Sequence, residues 1–197
     1  MPKKKGILLS DDLRMHSGVA VMSRELCLGT VKSYDWVQLA GSIQHPDKGK
    51  VINMDAATQQ MTGVPDAKIT IYPVDGYGNE ELLFTIIDRE KPDFLVHFTD
   101  PRFWGWLYSV ERQIRAKLPL TFLTIWDDTP YPMYNYAFYE SCDLLMSISK
   151  QTYNINKWVL GPDKCFTIDG EFDKDGKLIP FQKEGNELCH SITTDNS

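Results

Sequence analysis

Asp127 and Asp128 stand side by side in the segment Trp126-Asp127-Asp128-Thr129-Pro130-Tyr131, which follows an apolar run. Two adjacent carboxylates on a loop can supply a general base or hold a sugar hydroxyl. The plainer role for the pair is a turn acid followed by a helix cap. Trp126 and Tyr131 offer rings on which a sugar or a base could stack, or they pack into a core. A second group of chemically able residues lies near the N-terminus, where the apolar run Gly6-Ile7-Leu8-Leu9-Ser10 ends in Asp11-Asp12 and leads to His16, Ser17 and Gly18. A glycine at a helix start lets a ligand approach backbone N–H groups and the positive end of the helix dipole, which suits a phosphate; it is also a common helix cap. Further polar residues follow other apolar runs: Gly41 after the second, Thr99, Asp100 and Arg102 after residues 94–98, and Ser149 and Lys150 after residues 143–148.

Several chemistries are disfavoured. The four histidines and four cysteines show no metal-ligand spacing, so no metal site is expected. The dinucleotide fingerprint G-x-G-x-x-G is absent, so neither a nicotinamide nor a flavin cofactor is expected. His97 lies inside an apolar run and reads as a core histidine, whereas His16 lies in the open loop. No local Ser-His-Asp or Cys-His signature occurs.

These residues need elements to position them. Apolar runs of strand length alternate with helix-period segments along most of the chain. That order predicts βαβ units, hence an α/β fold with an open, mostly parallel sheet and helices on both faces. In such a sheet ligands bind outside the carboxyl ends of the strands, which is where the polar residues above fall. The pattern predicts strands at 6–10, 36–40, 69–73, 94–98, 120–126 and 143–148. Helices are predicted at 19–31, at 79–90 with Asn79 as cap, at 102–117, and from Ser149 to about residue 160. Residues 41–66 read as polar and broken by Pro46, Gly49, Gly63 and Pro65, with one short strand near 50–54. After Gly161 the pattern changes, and residues 166–168 and 178–181 read as a two-stranded hairpin. The expected organisation is therefore a domain at 1–162, a hairpin extension at 163–183 and a flexible tail at 184–197.

With 197 residues, 42% of them hydrophobic and 24% charged, the chain has ordinary globular composition. The net charge of −6 gives no broad attraction to phosphate backbones, so no general nucleic-acid surface is expected. Lys3, Lys4 and Lys5 read as a solvated start to the first strand. No apolar run approaches the roughly 20 residues of a transmembrane helix, and the N-terminus does not read as a signal peptide, so a cytoplasmic location is expected.

Four pieces in order carry a family resemblance. The segment Ser141-Cys142-Asp143-Leu144-Leu145-Met146-Ser147-Ile148-Ser149-Lys150 resembles the "alanine-aspartate, apolar strand, serine" stretch of family-four-type GT-B glycosyltransferases. Ile7 to Ser10 with Ser17-Gly18-Val19 resembles their first strand and glycine loop. Lys91-Pro92-Asp93 to Phe98 resembles their "proline-aspartate-valine-valine" strand, and Leu118-Pro119-Leu120 to Asp127 the strand leading to the acceptor loop. The wording SDDLRMHSGVAVMSREL and IWDDTPYPMYN also looks like phage-encoded glycosyltransferases. The resemblance covers about residues 5–160 and implies a Rossmann-like, acceptor-side N-terminal domain of a metal-independent enzyme. It implies a nucleotide-sugar as donor substrate, with no other cofactor, and an acceptor of unspecified identity. It places Ser17-Gly18-Val19 near donor phosphates or acceptor, and Trp126-Asp127-Asp128 by the reacting sugar. The chain departs from the pattern in having Trp126 where many relatives have histidine, and Gly18 alone where many have two glycines.

A complete GT-B enzyme has two such domains. The usual second-domain markers, a basic Arg…Lys pair and a Glu-x7-Glu stretch, are missing, so the chain alone is expected to be weak or inactive, with another chain as a candidate source of the second domain. Two other classes fit parts of the pattern. One is a noncatalytic sugar-, nucleotide- or protein-binding module, in which the aromatic segment 103–108 is a docking face. The other is a receiver-like phosphoacceptor domain, suggested by Asp11-Asp12 with Ser149-Lys150 and opposed by the chain's length. The transferase reading requires Gly18, Asp100 and the Asp127-Asp128 pair to reach one rim.

Overall fold

The computed structural model describes residues 2–42 and 44–161 in full, and the backbone of four short strands at 166–167, 170–172, 178–180 and 190–191. The chain divides into two compact units, Met1–Leu120 and Thr121–Ser197.

The first unit is a Rossmann-like α/β unit. Its strands are β1 (Lys4–Asp11), β2 (Tyr34–Ser42), β3 (Ile52–Asn53), β4 (Ile69–Asp75) and β5 (Phe94–His97), in the spatial order β3-β4-β2-β1-β5. β1 runs parallel to both β2 and β5, and β2 parallel to β4; only the short β3 is antiparallel, to β4. The linking helices are α1 (Gly18–Thr30), α2 (Asp55–Thr62) and α3 (Glu80–Glu90). Ile7, Leu8 and Leu9 are each fully buried, as expected of a strand covered on both faces. α1 covers one face: its Ser23 hydroxyl donates to Ser10, and its Thr30 hydroxyl accepts from the Trp36 indole. The other face carries α3, whose Glu90 meets both Lys5 and Tyr72. Gly6 allows one close contact on the α1 face. A Cβ there would lie 2.6 Å from the Trp36 ring and 2.7 Å from that of Phe94, so only glycine lets those rings meet edge to face. The basic N-terminal run is tied down, with Lys3 on Asp66 and Lys5 on Glu90.

Two elements differ from expectation. Residues 55–62 form α2, although the segment looked broken. Gly63, which suggested a loop, has φ 69° and is the left-handed residue that ends this helix, donating its N–H to the Gln59 carbonyl. The expected helix at 102–117 is instead a 3₁₀ turn (Pro101–Trp104) followed by α4 (Gly105–Ser109) and α5 (Glu111–Arg115). Trp104, Leu107, Tyr108, Val110 and Ile114 have the spacing of one apolar helix face, which is why the segment reads as a single helix. The backbone breaks at Val110, which has φ −112° and ψ 15°, yet all five side chains are buried.

In the second unit β6 (Leu120–Thr124) and β7 (Leu144–Ser147) pair in parallel from Thr121↔Leu144 to Thr124↔Ser147. α6 (Tyr136–Glu140) and α7 (Lys150–Leu160) pack over a core of Phe122, Tyr139, Leu145, Val159 and Leu160. Buried Asn156 donates to the hydroxyls of Thr124 at 2.7 Å and Ser147 at 2.9 Å, tying α7 to the ends of both strands. The antiparallel pair beyond Gly161 joins β9 (Gly170–Phe172) to β10 (Leu178–Pro180), whereas β8 (Phe166–Thr167) pairs in parallel with β11 (His190–Ser191). The hairpin partner of residues 178–180 is thus 170–172, not 166–168; the expected hairpin residues 168 and 181 and most of the expected tail lie outside the described residues. Among the described residues no helix is long and apolar enough to cross a membrane.

Candidate functional site

The strand order creates a switch point. From β1 the chain moves to β2 and then β4 on one side, and later returns to place β5 on the other side of β1. Connections that leave in opposite directions open a crevice at the carboxyl ends of the two central strands, here β1 and β5.

Asp11 ends β1 on the α3 face, and Tyr77 from the β4–α3 turn comes over it. The Ser17 hydroxyl donates to Asp11 Oδ2 at 2.7 Å and accepts from the Ala20 N–H at 3.0 Å, so one side chain caps α1 and orients the carboxylate. Burial raises the pKa of the Tyr77 phenol; the Asp11 charge, a hydrogen bond to Asp11 and the Asp100 charge raise it further. Tyr77 can lie there because Gly41, the penultimate residue of β2, has no side chain beneath it. A Cβ on Gly41 would stand 2.7 Å from the Tyr77 ring and 2.8 Å from the Gly76 carbonyl. Gly41→Ala should therefore push Tyr77 off the crevice and cost about 1–3 kcal/mol, the usual range for overpacking; denaturant melts and the Tyr77 ring resonances would measure both.

Beyond β5, Thr99 is buried and Asp100 caps the 3₁₀ turn, accepting from the Arg102 N–H at 2.9 Å. The Arg102 guanidinium grips the same carboxylate with Nε and Nη2, and these hydrogen bonds hold the Asp100 pKa below its ordinary value against the effect of burial. Phe103 stacks on Tyr77 with centroids 5.7 Å apart and planes 18° from parallel, and remains 60% exposed. Beneath it Trp104 is fully buried against Tyr77, His97 and Trp106. His97 is a core residue, bonded through Nδ1 to the Tyr108 hydroxyl at 2.9 Å. His16 is exposed in the loop before α1, and Gly18 begins the helix. A Cβ on Gly18 would meet nothing within 4 Å, so internal packing does not require glycine there.

The remaining expected residues belong to the second unit, at the carboxyl ends of β6 and β7. Asp127 and Asp128 are both exposed. Asp128 Oδ1 accepts from the Thr129 N–H at 2.7 Å, so this carboxylate serves its own turn. The Trp126 indole donates to the Asp128 carbonyl at 2.8 Å, and Gln151 holds the Asp127 carbonyl at 2.7 Å. Tyr131 stacks on Trp158, with planes 10° from parallel. Ser149 caps α7 by accepting from the Thr152 N–H at 3.1 Å, and Lys150 is the exposed first residue of that helix.

The structure thus brings Asp11, Ser17, Tyr77, Asp100, Arg102 and Phe103 to one edge of the first unit. Tyr77 was not singled out in the sequence, where Gly76-Tyr77-Gly78 reads as a plain turn. The available signal was an aromatic residue between two glycines, which take φ 58° and 75° and present that ring on a tight turn. The chain matches no family model, and no curated protein matches it.

Proposed function

We propose that this chain is the acceptor-side domain of a glycosyltransferase of GT-B type, and that the crevice between β1 and β5 receives a sugar. The observation that carries the reading is the exposed Phe103 ring stacked on Tyr77 beside the Asp11 carboxylate. A sugar has an apolar face of C–H groups and a rim of hydroxyls. Phe103 suits the face; Asp11, with the Asp100–Arg102 pair nearby, suits the rim. Gly18 leaves room at the start of α1, where the helix dipole favours the phosphate of a nucleotide-sugar. Asp127 and Asp128 are the proposed catalytic pair, with Trp126, Tyr131, Ser149 and Lys150 as further substrate contacts.

Titration of the chain with simple methyl glycosides and with nucleotide-sugars, followed by NMR, tests the proposal. Glycosides should perturb the Tyr77 and Phe103 resonances, and Asp11→Asn should weaken binding about tenfold or more, as expected for lost hydrogen bonds to a charged group. Absence of any glycoside or nucleotide-sugar response in the wild-type chain would remove the reading. A noncatalytic sugar-binding module is the second reading, favoured by the engagement of the Asp128 carboxylate in its own turn. The two part on transfer: under the second, glycosides bind but neither Asp127→Asn nor Asp128→Asn changes any turnover of the donor.

A further inference from the structure

We infer that Asp12, Arg14 and His45 form a buried clamp that positions the Asp11–Tyr77 pair; its importance for ligand binding rests on the crevice reading above, but the clamp itself is tested independently of any ligand. Asp12 follows Asp11 directly yet is fully buried, so its carboxylate cannot reach a ligand. Leaving a carboxylate in such a place without partners would cost several kcal/mol. Here it accepts from the Arg14 N–H at 2.8 Å, from Arg14 Nε at 3.0 Å, from Arg14 Nη2 at 2.6 Å and from His45 Nε2 at 2.8 Å. Burial alone would raise the Asp12 pKa; the Arg14 hydrogen bonds, joined by His45, outweigh it and hold the group below the ordinary aspartate value.

The role of His45 follows from its bonds. Nδ1 accepts the Asp47 N–H at 3.0 Å, so in the neutral ring the proton sits on Nε2 and is donated to Asp12. With both nitrogens engaged inside the protein, His45 is a strut and not a base. Its own N–H donates to Asp75 Oδ1 at 2.8 Å, and Arg14 Nη1 reaches Asp47 Oδ2 at 3.1 Å. The Asp12 N–H donates to the Gly41 carbonyl at 3.2 Å. Gln38 completes the frame: its Oε1 accepts from the Leu13 N–H, and its Nε2 donates to the Asp11 carbonyl at 2.7 Å.

These bonds join the loop after β1, the loop after β2 and the last residue of β4. Asp11 lies one residue from the first anchor and Tyr77 two residues from Asp75. No bond of the clamp touches the Asp11 carboxylate or the Tyr77 hydroxyl; it fixes the backbones that carry them. Stability alone is a weak reason for such a cluster, because well-packed apolar residues often replace buried ion pairs without loss. Direction is the better reason, since each hydrogen bond sets an angle as well as a distance.

The phenol of Tyr77 provides the readout. Tyrosines labelled with ¹³C at the ring ζ carbon are titrated by NMR over the alkaline range in which circular dichroism shows the fold intact, with Tyr77→Phe used for assignment. In the wild type Tyr77 is expected to titrate above the ordinary tyrosine value, raised by burial and by Asp11. Asp11→Asn, the positive control, brings it down by removing the adjacent charge. Asp12→Asn is expected to bring it down as well although Asp11 is retained, and Arg14→Met, which keeps the aliphatic stem, to do so in smaller degree. A folded Asp12→Asn variant in which Tyr77 titrates as in the wild type would overturn the inference, even if its melting temperature falls. Should Asp12→Asn fail to fold, Arg14→Met decides in the same way.

Discussion

Trp104→Ala is expected to be the most damaging single substitution in the first unit, costing about 3–5 kcal/mol, the range for emptying a tryptophan-sized core site. Trp104 is fully buried, with its ring 5.1 Å from both Tyr77 and His97 and 5.7 Å from Trp106, centroid to centroid. In a domain of this size such a loss lowers Tm by roughly 10 °C. The neighbouring Phe103→Ala is the informative comparison, because that ring is 60% exposed. Its removal should cost no more than about 1 kcal/mol while weakening glycoside binding. Paired thermal melts and glycoside titrations separate the two: Trp104 holds the wall of the crevice, and Phe103 is its surface. Equal stability losses for the two variants would contradict that division.

The second large effect is a loss of stability in mild acid. Burial pushes the His97 pKa from 6.5 down to about 3, against the opposing pull of Asp100. The sign follows from linkage. The folded state keeps the ring neutral, while the unfolded chain takes up a proton as the pH drops through 6.5. The stabilisation is therefore complete above that value, declines as pH falls, and is exhausted near 3, where the folded state is protonated too. From about pH 7.5 to about pH 5 the loss due to this residue is about 2 kcal/mol. Asp12 and Asp100, both held below their ordinary pKa, add their losses only at lower pH, below about 4. Urea melts of the wild type and His97→Gln across the window would measure it. The wild type should start more stable and the gap should narrow as pH falls; a constant gap would show that His97 does not titrate on unfolding.

Much of the fold could be read locally. The apolar runs at β1, β2, β4, β5, β6 and β7 were visible as strands, because each is short, continuous and closed by polar or turn-forming residues. Ser17, Asn79 and Ser149 cap α1, α3 and α7, each accepting an N–H three residues ahead, a bond that depends only on neighbouring sequence. α2 was missed because its stop signal, Gly63, looked the same as a loop glycine. The break in the helix expected at 102–117 was missed because the apolar spacing runs on through Val110, where the backbone leaves the helix without a glycine or proline to mark it.

The candidate site was less legible. Ser17, Gly18, Asp100 and Arg102 could be listed because they follow strands, but their grouping with Tyr77 could not. Tyr77 lies 66 residues from Asp11 (77 less 11), and the two meet only because β4 and β2 run beside β1 in register. Likewise Asp12 and His45, 33 residues apart, show nothing in their local sequence that predicts a buried pair.

By itself the sequence determined the α/β alternation, the parallel strands and the starts of α1, α3 and α7, because these depend on hydrophobic period, strand length and capping within a few residues. Tertiary structure alone decided which strands flank β1, and therefore which side chains face each other across its end. Strand order is set by the burial of both sheet faces and by crossover handedness, which are properties of the whole unit. Those same forces put one aspartate, Asp11, at the crevice and buried its neighbour, Asp12, beneath it.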